Sequence, residues 1–419
     1  MSFGLSVAFF LPPGHCVNRF DSRPGRAFLK HHFAGFLRCV GNISAGPSGI
    51  FIDSQVQDME VIQVGVYPPP YGGISVHLSR LKEHLDMNGI ENMIIDVSGI
   101  STAEKTEKKI RLMGWKKIIP FLTFRKRSIV HYHLYYHPRE LACSFISGVR
   151  HRKLLTLHNE RFLSVLDGIP RMLQGTFLKM LNSMDFVVVA NDKCRKMAGQ
   201  IVDDERKIHV IPAFIPPLDI PSLPPDGPIM QLKKKHRYLI SSYAFNLSFH
   251  QGEDLYGIDM MIDLAARLTN DGLDFAFCLL LPNVNDIEYF NELTARIKAL
   301  GIQDRFLVVT EPVRTASSLW RESSLVIRTT NTDGNSLSIP ESLAVGVPVL
   351  ASDCVPRPEG TLLFKSRDLE DLYLKTRDAL SRLEEAKEQA LLFRAEDNAI
   401  KLMELYKSLV NEDARGHRE

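Results

Sequence analysis

Ser324-Leu-Val-Ile-Arg-Thr-Thr-Asn-Thr-Asp-Gly-Asn-Ser-Leu-Ser-Ile-Pro-Glu-Ser-Leu-Ala-Val-Gly-Val-Pro-Val-Leu-Ala-Ser-Asp353 is the stretch on which the reading of this chain turns. Ser324 to Thr329 predicts a short buried strand, Asn331 to Ser336 a polar turn with a glycine, Ser338 to Val345 a helix and Val347 to Ala351 the next strand. A strand, loop, helix, strand unit belongs in a parallel α/β sheet. Loops at the carboxyl ends of such strands hold ligands, and helix starts there present backbone amides to anions. The unit also carries two carboxylates, Asp333 in the turn and Glu341 in the helix, eight positions apart. Placed so, they can flank one ligand.

Working outward, further short apolar runs alternate with helical stretches. Tyr238 to Ser242, Phe275 to Leu281, Arg305 to Val309, Leu325 to Thr329 and Val347 to Ala351 form one series of strands. Met59 to Tyr67, Asn92 to Val97, Ile129 to Leu134, Lys153 to His158, Phe186 to Ala190 and Lys207 to Pro212 form another. Repeated βα units of this kind call for doubly wound parallel sheets. Between the two series the chain is crowded with prolines at 212, 216, 217, 221, 224, 225 and 228. Proline fixes φ and cannot donate to a ladder, so residues 213–236 read as a linker. The expected organisation is a first domain over 59–212, a second over 237–388, and a closing helical segment, 389–419, able to cross back onto the first. Residues 1–58 show weak periodicity and read as a loosely ordered extension, with Met59 a candidate start and a small docking segment the alternative.

At 419 residues and 45% hydrophobic the chain can bury two ordinary cores. A net charge of +2 argues against a nucleic-acid binder working by a global basic field. Cys16, Cys39, Cys143, Cys194, Cys278 and Cys354 are scattered, with no C-x-x-C pair and no histidine cluster at zinc spacing, which fits free thiols in a reducing cytoplasm. No apolar run approaches the ~20 residues that span a bilayer, and the start of the chain lacks the basic flank and cleavage site of a secretory signal.

Asp333 and Glu341, followed by Ser-Leu-Ala-Val-Gly-Val-Pro-Val-Leu-Ala-Ser-Asp353, resemble the spaced acidic motif of the large family of retaining glycosyltransferases with the two-Rossmann GT-B architecture, the family numbered four. The resemblance extends over roughly Met59 to Val410 and includes Gly72-Gly73 after the first strand and Thr156-Leu-His158 at a strand end. It implies an α/β, GT-B fold and sugar transfer with retention from a nucleotide-sugar donor, without a catalytic metal or a cofactor. It further implies that Asp333 contacts the transferred sugar, Glu341 holds the ribose hydroxyls, the amides of Asn335, Ser336 and Leu337 meet the phosphates, and His158 reaches the donor sugar. Gly72 and Gly73 would face the donor diphosphate and the acceptor. Read without the resemblance, Asp333 can be a turn or capping acid, Gly72-Gly73 a tight turn needing positive φ, and His158 a structural strand-end residue. His131 and His133 read as packing or cleft-lining residues.

One departure from the family pattern matters. Its members place an Arg and, later, a Lys after the first strand of the second domain, whereas Ser241 to Gly257 here contains neither. Arg328 and Arg357 are the candidates to neutralise the diphosphate instead, the alternative for Arg328 being a pairing with a buried acid. A second local feature bears on the acceptor. Residues 104–127 carry nine Lys and Arg, among them Lys105, Lys116, Lys117 and Arg125, against Glu104 and Glu107, interleaved with Ile118, Phe121, Leu122 and Phe124. A helix with a basic face beside an apolar face suits an anionic membrane surface and hence a lipid-linked saccharide acceptor in cell-surface polysaccharide assembly. The alternative is a solvated face of the first domain. The function expected is thus a cytoplasmic glycosyltransferase, peripheral on the inner face of the cell membrane and acting on a saccharide or lipid-linked saccharide. A sugar-nucleotide epimerase of the same fold and a catalytically silent binder are the rivals.

Overall fold

In the computed structural model of the chain, the described residues are 60–416 without 103–104, 107–109, 134–141, 143–144, 146–149, 159–165, 167, 312–315 and 335. The expectation for residues 1–58 therefore lies outside the described residues, as does Asn335. Apolar runs rich in Val, Ile and Leu form two all-parallel sheets, each buried on both faces, as crossover helices require. The first has seven strands in the order β3-β2-β1-β4-β5-β6-β7. They are β1 Val61–Gly65, β2 Asn92–Asp96, β3 Arg111–Leu112, β4 Ile129–His133, β5 Arg152–Leu157, β6 Phe186–Val189 and β7 Ile208–Val210. The second has six, β12-β11-β8-β13-β14-β15. These are β8 Tyr238–Tyr243, β11 Phe275–Leu280, β12 Phe306–Val309, β13 Leu325–Arg328, β14 Val349–Ser352 and β15 Leu362–Phe364. A short hairpin, β9 Phe249–His250 with β10 Glu253–Asp254, follows β8. In both sheets the strand order reverses beside the first strand, next to β1 and next to β8, which opens a crevice at the carboxyl ends.

The helices that bear on the site are α1 Gly73–Met87, α2 Trp115–Thr123, α3 Arg171–Asn182, α4 Ser317–Glu322, α5 Ser338–Ala344 and α6 Asn398–Gly416. Along α1, Leu78, Leu81 and Leu85 are fully buried, while His77, Arg80 and His84 form a buried polar stripe at spacings of three and four. That stripe meets the linker. His77 Nδ1 donates to Ala213 O at 2.7 Å, Arg80 Nη1 to Ile215 O at 3.0 Å, and His84 Nε2 to Pro216 O at 2.9 Å. The proline-rich segment is thus no loose spacer. Ala213, Phe214 and Ile215 are buried, Pro228 to Lys235 is helical, and Ile220 and Pro221 give their carbonyls to Arg321 and Ser318 on α4.

The last helix, α6, reaches the first sheet. Asn398 Nδ2 donates to Phe214 O at 2.7 Å, and the buried Tyr406 hydroxyl lies 2.7 Å from His131 Nδ1. Tyr406→Phe leaves that nitrogen buried without a partner, so a loss of about 1–3 kcal/mol is expected in urea unfolding. An unchanged midpoint would show that the contact carries no weight.

Residues 104–127 do not form one amphipathic helix. Lys105 is buried and pairs with Asp96 at 2.6 Å, Arg111–Leu112 joins the sheet as β3, and Arg125 grips Glu60 at 2.5 Å. The apolar face of α2 is taken by the core, where Ile118 and Leu122 are fully buried with Leu181 of α3. What remains outward includes Arg111, Leu112, Lys116, Lys117, Lys126, Arg127 and Phe124, the last 86% exposed. Among the described residues no helix is long and apolar enough to cross a membrane.

Candidate active site

A cavity of about 820 Å³ is lined by residues from the carboxyl ends of both sheets. Gly72, Gly73, Arg80 and His158 come from the first half; Arg328, Asp333, Ser336, Leu337 and Glu341 come from the second. Of the residues singled out from the sequence, Arg357 is not among those lining it.

Neither Gly72 nor Gly73 has positive φ, so a strained turn does not explain the pair. A Cβ on Gly72 would make only ordinary contact with Phe245, and one on Gly73 with Leu337, both across in the second half. Their missing side chains therefore leave room in the cavity rather than relieve the backbone. The Gly72 amide is already held, donating to Ser75 Oγ at 2.9 Å.

Asp333 sits in a cage of cations. Arg328 donates to both carboxylate oxygens, Nε and Nη2 each at 3.0 Å, and Arg357 Nη1 adds a third bond at 2.8 Å. Thr330 Oγ1 adds a fourth at 3.1 Å. Burial alone would raise the Asp333 pKa, but the two guanidiniums outweigh it and hold the carboxyl below its usual range. The pairing of Arg328 with a buried acid, open in the sequence, is what the structure contains. Arg357 differs from expectation: it is buried behind Asp333, with Nε bonded to Ser352 O at 2.9 Å, because the loop after β14 folds inward under β13. The trio keeps one net positive charge, and Arg328 and Asp333 are its members on the cavity wall.

Glu341 is only 6% exposed, since α5 packs Ile339 and Leu343 into the core. Its Oε1 meets Arg80 Nη2 at 2.5 Å across the two halves, and its Oε2 accepts from the buried Trp320 indole at 3.0 Å. Sequence reasoning missed Arg80. The signal was present as a basic residue of α1 in phase with His77 and His84.

His158 closes β5 and lies 3.2 Å, Nε2 to His133 Nδ1, from the ring beside it. Parallel pairing of β4 and β5 sets His133 against Thr156, so His158 falls beside it, and α1 brings in His77. This histidine cluster has no counterpart in the sequence spacing, where its members stand 56 and 25 positions apart. Burial pushes the His77 imidazole down to about 4 and depresses His131, His133 and His158 further below their ordinary value. The rings are uncharged at neutral pH.

No family model and no curated protein matches the chain. Solved structures do. A glycosyltransferase from Rickettsia africae superposes with a TM-score of 0.62 at 17% identity, covering 84% of this chain and 99% of the other. The fold is GT-B. An Anabaena protein in complex with UDP-glucose shares this GT-B arrangement at a TM-score of 0.55 and 13% identity, covering 85% of this chain and 100% of the other. So does a UDP-forming trehalose-phosphate synthase from Burkholderia xenovorans in complex with glucose-6-phosphate, at 0.57 and 13%, covering 84% and 100%. In GT-B terms, Gly72, Gly73 and His158 stand on the wall of the first half, and Arg328, Asp333 and Glu341 on that of the second.

Proposed function

We propose that the protein is a retaining, metal-independent glycosyltransferase of the family-four type, moving a sugar from a nucleotide-sugar donor to a saccharide acceptor. The observation that carries this reading is the meeting of Asp333, Arg328 and Glu341 with Gly72, Gly73 and His158 around one cavity. Breaking the bond between the anomeric carbon and the diphosphate puts positive charge on the sugar and negative charge on the leaving group. Arg328, backed by the trio's net charge, faces the departing phosphates, and Ser336 and Leu337 bound the same wall. Glu341, held by Trp320, is oriented for ribose hydroxyls once Arg80 yields. His158, on the opposite wall, can offer a hydrogen bond from its imidazole at the reacting sugar. The solved structures with UDP-glucose and glucose-6-phosphate are consistent with a nucleotide-sugar donor and a saccharide acceptor here.

A thermal-shift panel of UDP-, GDP- and ADP-sugars tests the donor, since a ligand of the folded state raises stability with the logarithm of its concentration. A hit followed by transfer to a saccharide supports the reading. No shift with any donor sinks it. Arg328→Lys keeps the charge but loses the forked geometry, so donor affinity is expected to fall at least about tenfold. Among the described residues from Ser241 to Gly257 there is still no Lys or Arg, and both available arginines are tied to Asp333. That pairing favours a silent donor binder as the second reading, for which donor affinity would persist without turnover against any acceptor.

The acceptor we infer is lipid-linked, with the protein working at the cytoplasmic face of a membrane in cell-surface polysaccharide assembly. Support comes from exposed Leu112 on β3, Lys116 and Lys117 on α2 and Phe124 just after it, and from exposed Arg171, Met172 and Leu173 at the start of α3, the two helices sharing one core. Flotation with anionic liposomes should carry the protein, and Phe124→Glu with Met172→Glu should abolish it. Equal flotation with neutral lipid would remove the inference.

A further inference from the structure

Of the histidine cluster on the first half, sugar transfer as read above uses His158 and leaves His77 and His133 without a part. One ring nitrogen from each of His77, His133 and His158 lies within 4.8 Å of the others, and all three side chains are buried. The tautomer of His77 follows from its partner. Ala213 O can only accept, so Nδ1 carries the proton and Nε2 the lone pair. That Nε2 is buried without a hydrogen-bond partner. Orphaned buried polar atoms are uncommon and point to a missing ligand. His131, by contrast, is satisfied on both sides, Nδ1 by Tyr406 and Nε2 by Thr156.

A lone pair aimed inward, with the opposite nitrogen donating to a backbone carbonyl, is how metal-bound imidazoles are held in place. His133 Nδ1 and His158 Nε2 are 3.2 Å apart, close to the ~3.3 Å that separates two nitrogens at ~2.0 Å from one tetrahedral ion. In the pair as it stands, one nitrogen must carry the proton that bridges them. Shifting that proton to the other nitrogen of the same ring frees both lone pairs without any change of charge.

We propose that His77, His133 and His158 bind one divalent transition-metal ion, zinc above others, with a fourth position open toward the cavity that His158 lines. Three imidazoles with no carboxylate disfavour magnesium and calcium, which take oxygen ligands, and suit zinc, copper, nickel or cobalt. His77 is on α1, His133 on β4 and His158 directly after β5, so the ion would tie one helix to two neighbouring strands. The site stands on the opposite wall from Arg328 and does not rest on the transfer reading, because binding is measured without donor or acceptor.

The test uses the full chain, stripped with EDTA and titrated with cobalt(II) chloride. The ligand-field absorption of four-coordinate cobalt should appear, saturate at one equivalent per chain and vanish when zinc chloride is added. Zinc should also raise the melting temperature of the stripped protein. His77→Gln and His133→Gln should each weaken cobalt binding at least about tenfold, whereas His236→Gln, which alters a histidine paired with Asp274 in the second half, should not. No cobalt band on folded wild-type protein overturns the proposal, as does a band that survives both substitutions. Should either variant fail to fold, X-ray absorption of the zinc-loaded wild-type chain decides: backscattering from three imidazoles supports the site, and fewer than three rejects it.

Discussion

Asp333→Asn is expected to lower the free energy of unfolding by about 3–5 kcal/mol, the usual effect of removing one partner from a buried ion pair. The reason lies in what is left behind. Arg328 and Arg357 are 9% and 3% exposed and converge on the same carboxylate. An amide oxygen can accept from one of them but cancels neither charge, so two guanidiniums would face each other in a medium of low dielectric. Arg357→Met in the Asp333→Asn background removes that mutual repulsion, leaves Arg328 as the single unpaired charge, and should recover part of the loss. Urea unfolding of the two variants is the measurement, and wild-type stability in Asp333→Asn alone would mean that solvent reaches the trio. Donor binding gives the second readout. If Asp333 acts only by fixing Arg328, donor affinity should fall in the single variant and fall no further on adding Arg328→Lys.

The Arg80 to Glu341 pair supports the other large expectation. At 7% and 6% exposure it bridges the two halves beside the cavity. Arg80→Met and Glu341→Leu should each cost about 3–5 kcal/mol, because each strands a buried charge, while the double replacement should cost far less than their sum. A strictly additive double variant would show that the two side chains act separately. Trp320 adds an optical handle, since its indole donates to Glu341 and the chain has only one other tryptophan, Trp115. Nucleotide-sugar binding at Glu341 should change the emission of Trp320, and a Trp115→Phe background isolates that signal. Silence at saturating donor would argue that the ribose sits elsewhere.

The contrast between what the residues announced and what only the fold reveals is physical. Ser324 to Asp353 was legible because every level agreed: apolar runs of strand length, a glycine-bearing turn, a short helix and a second strand, all local. Most strand positions of both sheets were legible for the same reason, though the three-residue β15, Leu362–Phe364, was not among them. β3 was not, since Arg111–Leu112 lies inside a basic segment whose periodicity suggested a helix, and pairing to β2 overrode it. The partners of Asp333 were half legible: Arg328 is five positions away, but Arg357 arrives only through the fold of the loop after β14. Arg80 and Glu341, 261 positions apart, could not be joined from sequence at all, although the polar stripe on α1 marked one end. His133 and His158 likewise needed the β4 to β5 register.

The way the linker is fastened has a consequence for motion. The carbonyls of Ala213, Ile215 and Pro216 are held by α1 and those of Ile220 and Pro221 by α4, so each half claims its own end of the segment. If the halves swing apart to admit a bulky substrate, the pivot is confined to Pro217, Leu218 and Asp219, with a matching bend in the return crossing before Asn398. Such a hinge, three residues long and opening with a proline, permits rotation about few bonds. Gape and closure of the cleft would follow one narrow arc rather than a broad wobble.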